Sequence, residues 1–204
     1  MRAVIFSGGQ VSGVDFLQSV IRAEDFVIAA DRGYCAAKKI GILPDITVGD
    51  MDSVTEKPDG VRIVRLEPMK DETDTEAAMR LALEEGADEI LFLCALGGRA
   101  DHALANMLLL KQLGDMGIKA SVRDEKNEIY YMQESISLRG KKGDTISVIP
   151  LETLRGVSNS GLLYALDGRD IPCGTSLGVS NVMTGDVCTV TAKGGCALVI
   201  KSRD

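Results

Sequence analysis

Ile90-Leu-Phe-Leu-Cys-Ala-Leu-Gly-Gly-Arg-Ala-Asp-His102 is the stretch that decides the fold. Its first seven residues are apolar without a break. A strand with one wet face alternates apolar and polar residues, so this one is read as a strand covered on both faces. Two glycines stop it, and a helical pattern follows over 101–114. The same unit repeats outward. Apolar runs at 3–6, 27–30, 46–48, 61–66 and 118–122 alternate with helix patterns at 13–22, 32–40 and 74–86. Unalternating strands separated by helices predict a mostly parallel α/β/α sheet domain over 1–125.

Beyond Asp124 the texture changes to frequent glycines and short β-rich runs, notably 145–149, 187–191 and 198–200. This predicts an antiparallel β-sandwich over 126–204. A domain of that size is marginal alone, so it should lean on the first domain or on a second copy of itself. The whole chain has 204 residues, 45% hydrophobic and 26% charged, an ordinary globular balance. Its formal net charge of −7, with no basic patch, argues against nucleic acid or an anionic membrane as partner. No apolar run approaches a membrane span, and the first residues read as a strand, not a signal peptide, so a cytoplasmic location is expected. Five cysteines without a CxxC spacing suggest reduced, packed thiols. With one His and no Trp, the acidic residues must carry any chemistry.

Open α/β sheets bind ligands beyond the carboxyl ends of their strands. Those ends deliver Ser7-Gly8-Gly9, Asp31, Gly49 to Ser53, Lys70 to Asp74, and Gly97 to His102. Asp50 and Asp52, at spacing two, project to one side of an extended chain. Paired carboxylates repel unless a cation lies between them, and an oxygen-only donor set suits Mg²⁺; a solvated turn is the plainer alternative. Thr73 and Glu76 fit a capping box, which leaves Lys70, Asp71 and Asp74 crowding the same turn, placed to complete a metal shell. Gly97 and Gly98 allow close backbone approach to an anion, and Arg99 offers a fork for phosphate. Asp101 is either the helix N-cap or a ligand contact, and His102 either a ligand contact or a solvated first-turn residue. No GxxxxGK[ST] occurs, and Gly8, Gly9 and Gly13 miss the GxGxxG spacing. The pattern points to phosphoryl or pyrophosphoryl transfer from a nucleotide.

Four motifs, in order, resemble the thiamine pyrophosphokinase family: Ala30-Asp-Arg-Gly33, Leu43-Pro-Asp-Ile-Thr-Val-Gly-Asp-Met-Asp-Ser53, Lys70-Asp-Glu-Thr-Asp74 and Leu96-Gly-Gly-Arg-Ala-Asp-His102. Gly178-Val-Ser-Asn181 is similar to the family's thiamine-side motif. The resemblance implies a homodimeric, Mg²⁺-dependent enzyme that transfers the pyrophosphate of ATP to thiamine, giving thiamine diphosphate and AMP. It implies ATP on the α/β domain, and thiamine between that domain of one subunit and the β domain of the other. On it, Asp50, Asp52 and Asp74 match metal and catalytic acids, with Asp71 beside them. Asp31, Arg99 and Asp101 match nucleotide and substrate positions, joined by Lys70, Thr73, Gly97, Gly98 and His102 as phosphate-side candidates. Ser180 and Asn181 match the thiamine side. Two departures stand out: Arg32-Gly33 replaces the commoner Gly-Gly, and the Trp that many eukaryotic relatives hold near thiamine is missing. The rival readings are a pyrophosphokinase for a hydroxymethylpterin and a nucleotide-binding regulator without turnover; the intact acid set argues against the second.

Overall fold

In a computed structural model, described for residues 1–49, 60–66 and 71–203, the chain divides into two compact units, Met1–Glu125 and Lys126–Asp204. The first holds β1 (Arg2–Phe6), α1 (Val14–Val20), β2 (Phe26–Ala30), α2 (Gly33–Lys39), β3 (Ile46–Gly49), β4 (Arg62–Arg65), α3 (Asp74–Glu84), β5 (Glu89–Leu93), α4 (Ala100–Asp115) and β6 (Lys119–Arg123). Its strands are all parallel, in the order β6-β5-β1-β2-β3-β4. The chain winds one way from β1 to β4 and then returns to the other side of β1 with β5. That reversal opens a crevice between the carboxyl ends of β1 and β5.

The burial follows the sequence pattern. Ala3 to Phe6 and Ile90 to Leu93 are fully or almost fully buried, which only a sheet with both faces covered permits. On one face Val4, Phe6, Val27 and Leu91 pack with Leu17 of α1 and with Ala36, Ala37 of α2. Two expectations are corrected. β5 stops at Leu93 and does not run to 96, because Cys94 turns left-handed at φ 54°. β4 is an edge strand with exposed residues, not a covered one.

The second unit holds β7 (Asn127–Met132), β8 (Ser135–Arg139), β9 (Thr145–Pro150), β10 (Leu154–Ser160), β11 (Arg169–Ile171), β12 (Asn181–Val182), β13 (Val187–Thr191) and β14 (Ala197–Ser202). They form two antiparallel layers, β12-β9-β14-β7 and β11-β10-β13-β8. Alternate residues such as Ile146, Val148, Val157, Val190 and Val199 fill the space between them. Lys201 shares the inward face of Ala197 and Val199. It is tolerated there because its Nζ donates to the Arg139 carbonyl (2.8 Å) and pairs with Glu128 (2.6 Å). No helix is long and apolar enough to cross a membrane among the described residues.

One ion pair ties the start of β1 to the chain before β2. The Arg2 guanidinium grips Asp25 through Nε (2.7 Å) and Nη2 (2.5 Å), and Nη2 also donates to the Val20 carbonyl. The Asp25 side chain has no solvent exposure. Burial pushes its carboxyl pKa up, but the Arg2 hydrogen bonds and the Arg22 amide outweigh this and hold it below the usual carboxylate range. A depressed carboxylate contributes stability above its unfolded pKa and loses it as pH falls through the folded value. Arg2→Ala, which strands the buried charge, is expected to cost about 3 kcal/mol at neutral pH. Urea unfolding should show that deficit shrinking in acid, as Asp25 protonates; a deficit independent of pH would mean the loss is one of packing alone.

Candidate functional site

The crevice between β1 and β5 is closed at its base by main chain pressed on main chain. Beyond the strands the pairing continues: Ser7 N donates to Leu93 O (2.8 Å), Gly9 N to Cys94 O (2.8 Å) and Gln10 N to Leu96 O (2.9 Å). A Cβ on Gly9 would lie 2.6 Å from the Cys94 carbonyl oxygen, so only glycine fits. Gly97, at φ 78°, is pressed against the Gln10 side chain, which a Cβ there would meet at 2.7 Å. Gly97 therefore serves the contact between the two loops, whereas Gly98, with open space where its Cβ would be, is the glycine free to let a ligand approach.

Above this base lies a cleft of about 890 Å³. The loop after β1 contributes Gly8, Gly9 and Gln10. The turn after β2 contributes Asp31 and Arg32, the start of α3 contributes Glu72 to Thr75, and the loop into α4 contributes Gly97, Gly98, Arg99 and His102. The N-termini of α3 and α4 thus both open on it, presenting the positive ends of two helix dipoles. With Arg32 and Arg99, these make an anion-seeking wall. Asp31 and Asp74 supply acid on the same cleft.

Asp31 is held in a left-handed conformation, φ 47°, by its N–H to Val48 O (2.8 Å) and by its carbonyl, which accepts from Tyr34 N (3.1 Å). Its Oδ1 is buried without a hydrogen-bond partner. The departure at 32–33 has a local explanation. A Cβ at Gly33 would run into the Phe6 carbonyl, while Arg32 adopts ordinary αR geometry and stays exposed. Glycine is required at 33, not at 32.

Thr73 caps α3 as its spacing predicts, its Oγ1 accepting from Glu76 N (3.2 Å), and Asp74 follows as the first helical residue. Asp71 is exposed and is not among the residues that line the cleft. Asp101 is not the cap of α4, which is Arg99. It is the second residue of the helix, in the first turn, accepts from His102 N (2.9 Å), and grips the Arg99 guanidinium through both oxygens at 3.1 and 2.6 Å. The Arg99 hydrogen bond and the His102 amide hold the Asp101 carboxyl down to about 2. Asp50, Asp52 and Lys70 lie outside the described residues. Among the described residues no three His, Cys, Asp or Glu cluster as a metal site.

In the second unit, Ser180 is left-handed at φ 60° and its N–H donates to Ser147 Oγ (3.1 Å). The Asn181 side chain is spent on main chain: Oδ1 accepts from Tyr164 N and Val182 N (2.9 Å each), and Nδ2 donates to Tyr164 O (2.7 Å).

Residues 17–122 match the model of the thiamin pyrophosphokinase catalytic domain, and 133–197 that of the thiamin pyrophosphokinase vitamin B1 binding domain. The chain belongs to the thiamine pyrophosphokinase family. It is 30% identical to the thiamine pyrophosphokinase of Bacillus subtilis, with 98% of each chain covered. The crystal structure of the Bacillus subtilis thiamine pyrophosphokinase superposes with a TM-score of 0.91 at 28% identity, over the whole of both chains. That of the thiamin pyrophosphokinase from Geobacillus thermodenitrificans gives 0.88 at 26%, covering 100% of this chain and 98% of that one.

Most of the residues that line the cleft fall within the stretch matched to the catalytic-domain model. Two of the cleft residues escaped the sequence reading. Gln10 holds the loop contact, and Asn106 is buried with its Nδ2 on the Ala95 carbonyl (2.8 Å). Asn106 carried a signal, since it stands in register with buried Leu109, Leu110 and Leu113 on the inward face of α4. A polar residue there needs a fixed partner.

Arg99 cannot grip a phosphate with both arms while Asp101 holds it. Arg99→Ala is therefore expected to raise the Asp101 carboxyl from about 2 toward the ordinary carboxylate range, read by carboxyl-carbon NMR titration. A nucleotide that draws Arg99 away should move it in the same direction in the unmutated protein. An unchanged Asp101 titration in the variant would mean that the helix N-terminus, not Arg99, keeps the group ionised.

Proposed function

We propose that the chain transfers the pyrophosphate group of ATP to the hydroxyl of thiamine, giving thiamine diphosphate and AMP, in the cytoplasm and with Mg²⁺. The observation that carries the reading is the cleft at the β1–β5 reversal. Two helix N-termini, Arg32 and Arg99 meet there with the acids Asp31 and Asp74. The reaction forms a bond from the thiamine hydroxyl oxygen to the β-phosphorus of ATP and breaks the bond from that phosphorus to the bridging oxygen of AMP. The hydroxyl proton is released. Negative charge builds on the transferring group and on the leaving AMP oxygen. Fixed N–H groups and guanidinium cations stabilise such charge without reorganising.

The donors present suit a hard divalent cation. They are carboxylate oxygens, and Asp31 Oδ1 is a buried oxygen with nothing to satisfy it. Asp74, with Asp50 and Asp52 from the sequence motif, would hold Mg²⁺, which when bound neutralises phosphate charge. Asp31 and Asp74 are also the carboxylates placed to orient the hydroxyl or accept its proton. His102 lines the same cleft and is available to a ligand.

We also propose a homodimer. The resemblance carries it, and the exposed apolar side chains Leu163, Leu177 and Val179 of the second unit are surface that a partner copy would cover. Sedimentation at micromolar concentration is expected to give twice the chain mass; a monomer there would remove this part of the proposal.

AMP release from ATP in the presence of thiamine, compared with a hydroxymethylpterin, tests the substrate. Turnover only with the pterin would replace the reading, and turnover with neither would leave a binding protein. Thr73 and Asp74 stand side by side but should fail differently. Thr73→Ala should cost about 1 kcal/mol of stability as a lost cap and retain most turnover. Asp74→Asn should lower turnover by orders of magnitude with the melting temperature nearly unchanged. Parallel losses in the two variants would make this turn purely structural.

A further inference from the structure

Asn106 is only 6% exposed, yet it lines the cleft, from the second turn of α4. Among the described residues, the others that are buried and line the cleft are Ala30, Thr75 and Ala95, so Asn106 belongs to the floor. Its Nδ2 donates to the Ala95 carbonyl (2.8 Å). A carbonyl oxygen only accepts, so this bond fixes which end of the amide faces Ala95. Oδ1 is left on the other side, and among the described residues it has no hydrogen-bond partner. The described side-chain oxygens sealed away from solvent without a partner are those of Ser7, Asp31 and Thr47. Asn106 Oδ1 is not sealed; it is reached from the cleft. The floor therefore carries a bare acceptor of fixed direction between the small apolar side chains of Ala30 and Ala95. A buried acceptor without a donor is unfavourable until a ligand brings one.

The chemistry of an amide oxygen limits what can meet it. Ionised phosphate brings acceptors only, so it is turned away here. Phosphate has its own place at the exposed rim, with Arg32, Gly98 and Arg99. The floor suits an uncharged group that carries an N–H or O–H, which in a nucleotide means the nucleoside half. We propose that Asn106 is a specificity residue for the nucleoside: with its amide locked on Ala95, Oδ1 accepts one hydrogen bond from the adenine amino group or from a ribose hydroxyl of ATP. This rests on the ATP reading above. Asn106 lies within 17–122, matched to the catalytic-domain model, whereas the vitamin B1 binding model matches 133–197. That division favours the nucleotide over thiamine as the ligand of this floor. The two ends of one amide thus divide the work: the donor holds the loop after β5, and the acceptor reads the ligand.

The test is a cycle between protein and ligand, read as nucleotide Kd by titration calorimetry with Mg²⁺ present and thiamine absent. Purine riboside triphosphate lacks the amino group, and 2′-deoxyATP and 3′-deoxyATP each lack a hydroxyl. With the unmutated protein, one of these analogues is expected to bind about tenfold more weakly than ATP, the size of a lost hydrogen bond to a buried acceptor, and so to identify the donor. Asn106→Ala is expected to weaken ATP by about tenfold or more and to bind that analogue as well as it binds ATP, because the partner is already gone. Analogues that all bind like ATP, or a discrimination that survives in Asn106→Ala, would overturn the proposal and leave Asn106 a support for the Ala95 loop. If Asn106→Ala does not fold, Asn106→Ser enters the same cycle. A protein that shows the cycle but does not convert thiamine would mark failure of the thiamine reading alone. One that converts thiamine without discriminating among the analogues would mark failure of the Asn106 role alone, and one that does not bind ATP would remove both.

Discussion

The contact on which the first unit depends is a line of main-chain hydrogen bonds that runs past the ends of β1 and β5 into their loops. Gly9 N reaches Cys94 O and Gln10 N reaches Leu96 O at the spacing of sheet partners, with no sheet left to support them. Two loops can approach so closely only where side chains are absent, hence Gly9 and Gly97. The left-handed turn at Cys94 then swings the chain away, and α4 starts beyond it with its N-terminus on the cleft. Asn106 reaches back from α4 to the Ala95 carbonyl and locks that departure from the other side. The side of the cleft formed by the loops after β1 and β5, and the position of Arg99, follow from this junction.

The second unit solves the same problem with different parts. Its edge around β12 is irregular, and side-chain amides replace the missing strand partners. Asn181 and Asn159 together satisfy the main chain of Tyr164 and the N–H of Leu166. Gly161 and Gly178 let the flanking segments lie against β13 and β9, where a Cβ would strike the Val187 and Val148 carbonyls. The first unit sets its loops mainly by backbone with one amide, Asn106, behind them; the second relies on amides throughout.

The sheet was legible because strands buried on both faces leave an unmistakable unalternating pattern, and α3 was legible because Thr73-x-x-Glu76 is a local signal with a local cause. The failures have a common origin. Residues 94–96 are as apolar as the strand before them, and only the turn at Cys94, imposed by the packing of the two loops, ends it. Asp101 has the composition of a cap, but the chain geometry gives that place to Arg99 and spends the carboxylate on Arg99 and the His102 amide. A polar residue's partner lies elsewhere in the sequence, so its role cannot be read from its neighbours. The acids at 50 and 52 and Lys70, which the sequence made central, fall outside the described residues.

The central place of β1 has a consequence for how the first unit comes into being. Met1 meets Asp88, 87 residues later, and β1 pairs with β5 from Arg2 and Glu89 onward. A chain emerging from the ribosome has β1 to β4 in hand well before the strand that completes β1's other edge. Closing that long parallel pairing is slow, since loop entropy is lost before the contacts form. Until β5 arrives, the apolar edge of β1 stands open and is the segment most in need of shelter from other chains. The cleft, built from the loops after both strands, is therefore among the last features of the unit to form.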